Sequence, residues 1–399
     1  MCCRSWGGYW MSNVNTRKLG DICTIVSGGT PSRSKLEYWN GGTISWIKIS
    51  NIKNKYVNES DEKITKLGLE ESSAKMLTKG TILYTIFATL GEVAILDIDA
   101  CTNQAIAGIN IKNTDILIND FLYYFLMSKK DYVNNIGRGV AQNNINMSIL
   151  RNIDIPLPPI DIQRKIVSNL DKVTHIMDLC NTILEKLDLL VKSQFVEMFG
   201  DPVTNEKHWE MKPLLSMGNC KNGMNFHRDD KGVEINCLGV GDFNDSSTIE
   251  DTSKLPTISL NEIPSEEYLL KNDDIVFVRS NGNKALVGRS IAVYPEKIPT
   301  TFSGFCIRYR RTDDSVNTPY LLRFFKAESI RQRMVGRGAN IQNLNQQILG
   351  ELIIPVPPLD LQNQFADFVK TIDKSKLAVK KTLEKAETLK KALMQEYFG

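Results

Sequence analysis

The chain repeats itself at an offset of 199 residues, and this duplication constrains its fold more than any other feature of the sequence. Ile155–Gln163, which reads IPLPPIDIQ, returns as Ile354–Gln362, which reads IPVPPLDLQ. The match is gapless over about sixty residues. Further pairs keep the same register: Gly137–Gly139 with Gly336–Gly338, Asn144–Asn146 with Asn343–Asn345, Ile149–Leu150 with Ile348–Leu349, and Phe199–Gly200 with Phe398–Gly399.

Upstream of each repeated block the chain varies. Thr16–Arg138 and Glu210–Arg337 resemble each other only loosely and need insertions to align. A chain of 399 residues with 42% hydrophobic content can bury at least two cores. The sequence therefore predicts a constant scaffold that carries two domains of different sequence, which we call head one and head two.

A long helix follows each proline-rich strand. The prolines end the strand, and Asp161 or Asp360 can cap the helix that follows. Apolar residues then alternate at spacings of three and four, which is typical of a coiled coil. In the first helix they are Ile162, Ile166, Leu170, Val173, Met177, Cys180, Leu184, Leu187, Val191 and Phe195. In the second they are Leu361, Phe365, Val369, Ile372, Leu383, Ala386 and Leu393, with charges interrupting around Lys374–Lys376.

Helices of about 37 residues, roughly 55 Å long, exceed an ordinary core element, so the two apolar stripes are expected to bury each other. Two equivalent repeats related by a two-fold axis make the helices antiparallel and the organisation circular. The predicted fold is α+β, with two heads separated by this helix pair. The expected segments are a tail at 1–11, head one at 12–160, a helix at 161–199, head two at 200–358 and a second helix at 359–399.

The heads carry short strands and short helices. Thr81–Ile86 and Asp274–Val278 are rich in β-forming residues and follow turn-forming pairs, so both are predicted strands. Phe121–Lys129 and Tyr320–Lys326 have the apolar spacing of short amphipathic helices.

In this order of variable and repeated regions the chain resembles the specificity subunits of type I restriction-modification systems, with the heads as target-recognition domains. Head one adds three segments that resemble opening motifs of those domains, and Asn103–Ala105 fits as well. The three are Gly28–Ser32, Tyr38–Gly41 and Trp46–Ile52. Head two departs, because Lys221–Asn225 lacks the G-G-T-P pattern and Leu238–Phe243 replaces the tryptophan strand.

The resemblance implies a division of labour. Each target-recognition domain would read one half of a divided double-stranded DNA sequence, and the helices would bind two modification subunits that methylate adenine with S-adenosylmethionine. Restriction subunits would add ATP-driven translocation and cleavage. S-adenosylmethionine, ATP and magnesium are thus expected on partner subunits, with no cofactor and no catalysis in this chain.

The absence of catalytic signatures from the sequence agrees with that expectation. We find no phosphate-binding loop, no Asn-Pro-Pro-Tyr motif and no metal-spaced cluster of cysteine and histidine. Gly239–Gly241 is an incomplete dinucleotide motif, and a plain turn is the favoured interpretation. The eight cysteines show no C-x-x-C spacing and no apolar run reaches the roughly 18 residues of a membrane span, so a cytoplasmic location is expected.

Two arginines lie between glycines, Arg138 and Arg337, one in each copy of the repeat. Such glycines let the backbone approach a ligand closely while the guanidinium reaches phosphate or a guanine edge. The alternative is a structural loop whose amides cap the next strand. The block recurs in both heads, which favours phosphate positioning that does not depend on sequence. The amides that follow are further candidates for DNA contact: Gln142, Asn143, Gln342 and Asn343.

Base reading is expected from residues that differ between the heads. Residues 279–337 hold 12 Lys/Arg against 4 Asp/Glu, and residues 17–55 hold 7 against 2, although a solvated basic surface would look the same. In head two the candidates are Arg279, Ser280, Asn281, Asn283 and Lys284. In head one they are Thr30, Ser32, Arg33, Lys48, Ser50, Asn51 and Gln104. For Trp39 and Trp46 core packing is the favoured role.

One alternative stays open at this stage. Helices that join partners, with heads that bind protein, would make an interaction scaffold that reads no DNA. The basic loops on both heads count against that interpretation.

Overall fold

The computed structural model describes residues 15–137, 144–227, 229–243, 247–335 and 343–399. The chain divides into two compact units. Unit 1 runs to Asn181 and also includes Lys381–Gly399, whereas unit 2 is Thr182–Lys380. The predicted tail, residues 1–11, lies outside the described residues.

Strands of unit 1 form three sheets. They are β1 (Thr16–Lys18), β2 (Cys23–Ser27), β3 (Ile44–Ile47), β4 (Tyr56–Val57), β5 (Glu62–Ile64), β6 (Ile82–Thr85), β7 (Val93–Leu96), β8 (Cys101–Thr102), β9 (Ile106–Ile111) and β10 (Asp154–Pro156). A five-stranded sheet has the order β2-β9-β6-β7-β4, a three-stranded sheet has the order β5-β3-β8, and β1 pairs with β10.

Unit 2 repeats this topology strand for strand. Its strands are β11 (Glu210–Pro213), β12 (Gly218–Asn222), β13 (Val233–Leu238), β14 (Thr248–Ile249), β15 (Thr257–Leu260), β16 (Asp274–Val278), β17 (Ser290–Val293), β18 (Thr300–Phe302), β19 (Cys306–Arg311) and β20 (Ile353–Val356). The sheet orders are β12-β19-β16-β17-β14, β15-β13-β18 and β11-β20. Two heads with loosely similar sequences therefore share one fold.

Helices cover the larger sheets and extend beyond them. They are α1 (Leu19–Ile22), α2 (Lys66–Glu70), α3 (Asn119–Ser128), α4 (Lys130–Gly137), α5 (Met147–Arg151), α6 (Ile160–Phe199), α7 (Thr318–Lys326), α8 (Glu328–Val335), α9 (Gln346–Gly350) and α10 (Leu359–Phe398). Both predicted strands and both predicted short helices are present. In α3, however, every side chain from Phe121 to Leu126 is buried, so this helix is a core element rather than an amphipathic one.

Each five-stranded sheet has two buried faces, because successive side chains of a strand point to opposite sides. In β6, Ile82 and Tyr84 pack against the helices of unit 1, whereas Leu83 packs towards the three-stranded sheet. In β16 the same alternation sends Phe277 to the helices and Val276 to the smaller sheet. The layers are therefore small sheet, large sheet and helices in both units.

The two long helices contribute a part to each unit, and they are antiparallel. In unit 2, Lys376 of α10 forms an ion pair with Asp188 of α6 at 2.6 Å, and Phe365 contacts Phe195 with ring centroids 5.5 Å apart. The later residue of α10 therefore lies beside the earlier residue of α6, so the two helices run in opposite directions. In unit 1, Asn169 donates a hydrogen bond to the Tyr397 hydroxyl at 3.0 Å. The predicted antiparallel pairing is confirmed.

A buried glutamine fixes each long helix to its head. Gln163 is fully buried; its amide oxygen accepts from the Ile118 N–H at 3.1 Å, and its amide nitrogen donates to the carbonyls of Ile116 and Pro158, both at 2.8 Å. Gln362 does the same in unit 2 with Asn317, Ser315 and Pro357. The repeated P-P-x-x-x-Q motif therefore encodes a helix anchor.

Candidate nucleic-acid interface

The loops that carry the predicted DNA-binding residues are framed in both heads by the same backbone hydrogen bonds. The Gly28 N–H donates to the Ile106 carbonyl at 3.0 Å, and the Gly223 N–H donates to the Cys306 carbonyl at 3.0 Å. A Cβ on Gly28 would collide with the Asn103 carbonyl, and one on Gly223 with the Ser303 carbonyl. The G-G-T-P segment of head one and Gly223–Asn225 of head two therefore occupy the same place, although their sequences differ.

A second loop is equivalent in the two heads as well. The Lys48 N–H donates to the Asn51 side chain at 3.0 Å, and the Gly239 N–H donates to the Asp242 side chain at 2.8 Å. Each turn follows the central strand of the small sheet, β3 or β13. The incomplete glycine motif at 239–241 is thus a short helical turn in the position that Lys48–Asn51 takes in head one.

Head one gathers several of the predicted residues around one carboxylate. Arg33 Nη1 donates to Glu62 Oε2, and Lys48 Nζ donates to Glu62 Oε1 at 2.8 Å. Asp61 lies 3.7 Å from Lys48 Nζ and accepts from Asn51 Nδ2 at 3.3 Å. We call these five residues, Arg33, Lys48, Asn51, Asp61 and Glu62, the head-one cluster.

Charges in the head-one cluster nearly cancel, since two cations face two carboxylates. Hydrogen bonds from Arg33, the larger effect, and from Lys48 lower the pKa of Glu62. The hydrogen bond to Glu62 in turn raises the pKa of Lys48. Glu62 and Lys48 are therefore both ionised at neutral pH, and the cluster, which pairs two cations with two carboxylates, exerts little net attraction on a distant phosphate.

Two tryptophans support the cluster. Trp46 is 3% exposed and its indole N–H donates to the Gly29 carbonyl at 3.0 Å. Trp39 contacts Trp46 edge to face, with centroids 5.2 Å apart, and donates to the Ser32 carbonyl at 3.1 Å. The Arg33 guanidinium carbon lies 3.7 Å from the centroid of the Trp39 ring. Trp39 thus serves as a platform for the arginine.

Other predicted residues of head one lie on the same loops without joining the cluster. Thr30 donates its hydroxyl to the Gln104 side-chain oxygen, which connects the loop after β2 with the loop before β9. Ser32 shares a hydrogen bond of 2.8 Å with Ser34. Ser50 is exposed on the turn at 49–51.

In head two the predicted loop leaves β16 and meets the end of the repeated block. The Arg279 N–H donates to the Phe305 carbonyl at 2.8 Å, and its own carbonyl accepts from the Leu344 N–H at 2.8 Å. Ser280 pairs with Asn343 in an isolated bridge. The Asn281 side chain accepts from the Asn283 N–H at 2.7 Å, which shapes the turn.

Head one repeats this junction with different side chains. Phe87 pairs with Asn144, and the Ile145 N–H donates to the Ile86 carbonyl at 3.1 Å. The predicted residues Arg138, Gln142, Asn143, Arg337 and Gln342 lie outside the described residues, as does the side chain of Lys284.

A comparison with protein-family models identifies the type I restriction modification DNA specificity domain twice, at residues 11–189 and 206–388. The chain belongs to this family. The two matches follow the internal repeat, so the family's DNA specificity domain occurs once for each head.

Known members of the family align over part or most of the chain. The Methanocaldococcus jannaschii type I restriction enzyme MjaIX specificity subunit is 32% identical over 231 residues, so this chain spans about half (53%) of that relative. The StySPI specificity subunit of Salmonella potsdam is 23% identical over 424 residues, covering 96% of this chain and 88% of that one. A crystal structure of the S subunit from M. genitalium superposes with a TM-score of 0.57 at 18% identity, covering 97% of this chain and 96% of that chain, which shows a shared fold.

The described ranges contain neither a cluster of metal ligands nor a helix that could cross a membrane. No group of three or more His, Cys, Asp and Glu side chains there could hold a metal ion. None of the helices described is both long and apolar enough to cross a bilayer.

Sequence reasoning missed the two carboxylates of the head-one cluster. Glu62 belongs to β5 and stands opposite Trp46 of β3 in an antiparallel pair. Acidic residues are not expected at a DNA-binding surface from composition, so only the strand pairing could have placed Glu62 beside Arg33 and Lys48.

Proposed function

We propose that this chain reads DNA as the specificity subunit of a type I restriction-modification complex, with one half of a divided target bound by each head. One observation carries the proposal. The two heads hold their loops with the same backbone hydrogen bonds but place different side chains on them, Arg33 and Lys48 in head one and Arg279 and Asn281 in head two. A frame that is repeated while its contact residues change suits two related domains that recognise different bases.

Phosphate contacts are assigned to the repeated block. Arg138 and Arg337 recur with their flanking glycines, and the residues that follow them, Asn144 and Asn343, pair with the loops after β6 and β16. A sequence-independent role in both heads would set the register on DNA, while the variable loops select bases.

Partner subunits would supply the chemistry. Two methyltransferase subunits that use S-adenosylmethionine, and restriction subunits that use ATP and magnesium, are the proposed partners. In the part of α6 that belongs to unit 2, Leu189 is 61% exposed and Val196 is 49% exposed. Large apolar side chains exposed in this way favour a protein-binding surface. The chain itself would contribute no catalytic group, and it would act in the cytoplasm, where its DNA target lies.

Co-expression with a candidate modification subunit tests the proposal. The purified complex, incubated with S-adenosylmethionine and genomic DNA, should methylate adenine at one divided sequence, and this chain alone should methylate nothing. A complex that binds the subunit but methylates without sequence preference would favour the interaction scaffold instead.

A further inference from the structure

Arg33 is held from two sides in a way that a phosphate-binding arginine does not require. Its guanidinium carbon lies over the Trp39 ring, 3.7 Å from the centroid, and one nitrogen, Nη1, is bonded to Glu62. Its side chain is nevertheless 54% exposed. The group is therefore fixed in position while part of it still faces solvent.

Electrostatics argue against a phosphate ligand for this arginine. A phosphate approaching Arg33 would also approach Glu62 and Asp61, whose carboxylates already satisfy Lys48. Contacts with the DNA backbone gain most from unpaired positive charge. A neutral cluster with an oriented guanidinium instead suits a ligand that carries hydrogen-bond acceptors without a full negative charge.

We propose that Glu62 and Trp39 orient Arg33 to read a guanine in the half of the target bound by head one. Among the described residues, Arg33 Nε and Nη2 have no hydrogen-bond partner, and two N–H donors on one side of the guanidinium match the O6 and N7 acceptors of guanine. Adenine presents a donor at the O6 position, and arginine has no acceptor to meet it. Glu62 is thus a positioning residue for specificity, and this inference rests on the proposed DNA-reading function.

Three variants of the assembled complex test the inference, and the target of each is determined by sequencing methylated genomic DNA. Arg33→Lys keeps the charge but loses the planar pair of donors. Glu62→Gln keeps the shape of the side chain but removes the negative charge that faces Arg33 and Lys48, while Asp61 stays 3.7 Å from Lys48 Nζ. Glu59→Gln is the matched control, because Glu59 is an exposed carboxylate three residues away that has no ion-pair partner in the described part of head one.

Expected results differ among the variants. Arg33→Lys should relax one G·C pair in one half of the target by about 5- to 150-fold, the range for a bidentate base contact, and leave the other half unchanged. Glu62→Gln should weaken selection at the same base pair. The complex that carries it should also bind a random-sequence 40-base-pair duplex more tightly, and the salt dependence of that binding should become steeper by about one phosphate contact. Glu59→Gln should keep the wild-type target and the wild-type salt dependence.

Several outcomes would overturn the inference while the proposed function stands. They are a wild-type target that Arg33→Lys leaves unchanged, a relaxed pair that contains no guanine, or equal effects of Glu59→Gln and Glu62→Gln. A wild-type complex with no sequence preference would instead reject the proposed function. Hydrogen exchange of β3 and β5 in Glu62→Gln would show whether a changed target arises from local unfolding rather than from reorientation of Arg33.

Discussion

Replacing Gln163 with leucine should detach α6 from head one, and replacing Gln362 should do the same for α10 and head two. Each side chain is fully buried and forms three hydrogen bonds to backbone groups. Leucine is of similar size, so the substitution leaves little cavity and mainly removes polar partners.

The expected loss can be estimated from those bonds. Three hydrogen bonds at a net value of about 1 kcal/mol each give roughly 3 kcal/mol. The backbone N–H of Ile118 and the carbonyls of Ile116 and Pro158 would also lose a partner. Because the bond to Pro158 is buried and the other two are partly buried, the expected cost of Gln163→Leu rises to about 3–6 kcal/mol. The closely similar geometry around Gln362 predicts an equal loss in unit 2.

Denaturant unfolding followed by hydrogen exchange of peptides from each unit would measure the two losses separately. Gln347→Leu is a suitable control, because the Gln347 side chain is exposed and donates a long bond of 3.4 Å to the Glu351 carboxylate. We expect this variant to change stability by less than about 0.5 kcal/mol. A loss below about 1 kcal/mol for Gln163→Leu would refute the assignment of this residue as an anchor.

Further predictions concern charge. Asp274 is 1% exposed and pairs with Arg310 through two bonds of 2.7 Å, so Asp274→Ala should destabilise unit 2 by about 3–5 kcal/mol in chemical denaturation. Burial lowers the pKa of Lys326 to about 8, below the unfolded value, so the unfolded chain binds more protons above that pH. The stability of unit 2 should therefore rise from about pH 8 towards 10.5, and Lys326→Met should abolish this rise in denaturation at pH 7 and 9.5. Arg138→Ala and Arg337→Ala should each weaken binding equally on all sequences and lower the salt slope by about one unit in titrations of the complex.

Periodicity sufficed to predict the long helices. The spacing of three and four from Ile162 to Phe195 is a local property, and Leu170, Val173 and Phe195 are indeed buried. Strands β6 and β16 were equally predictable, because a strand whose side chains are buried on both faces of the sheet is a continuous apolar stretch of sequence.

Features that depend on pairing between distant segments were not predictable. Glu62 meets Arg33 only because β5 pairs with β3, and no local pattern states that register. The sequence shows that Gln163 recurs in the second repeat as Gln362. Its role, however, depends on backbone groups at Ile116 and Ile118, which lie over forty residues earlier in the chain. The repeat predicted two related heads, but it could not show that Gly28 and Gly223 occupy equivalent places, because each donates to a carbonyl that lies about eighty residues away in sequence, that of Ile106 or Cys306.

The division of the long helices between the two units has a consequence for biosynthesis. Unit 2 is one continuous stretch, Thr182–Lys380, whereas the core of unit 1 includes Phe398, whose ring lies 5.3 Å from that of Phe121. A ribosome makes head one first, yet that unit cannot close its core until residues 381–399 have emerged. The unit synthesised first is therefore the last to be completed, and until then its apolar surface is open to chaperones and proteases.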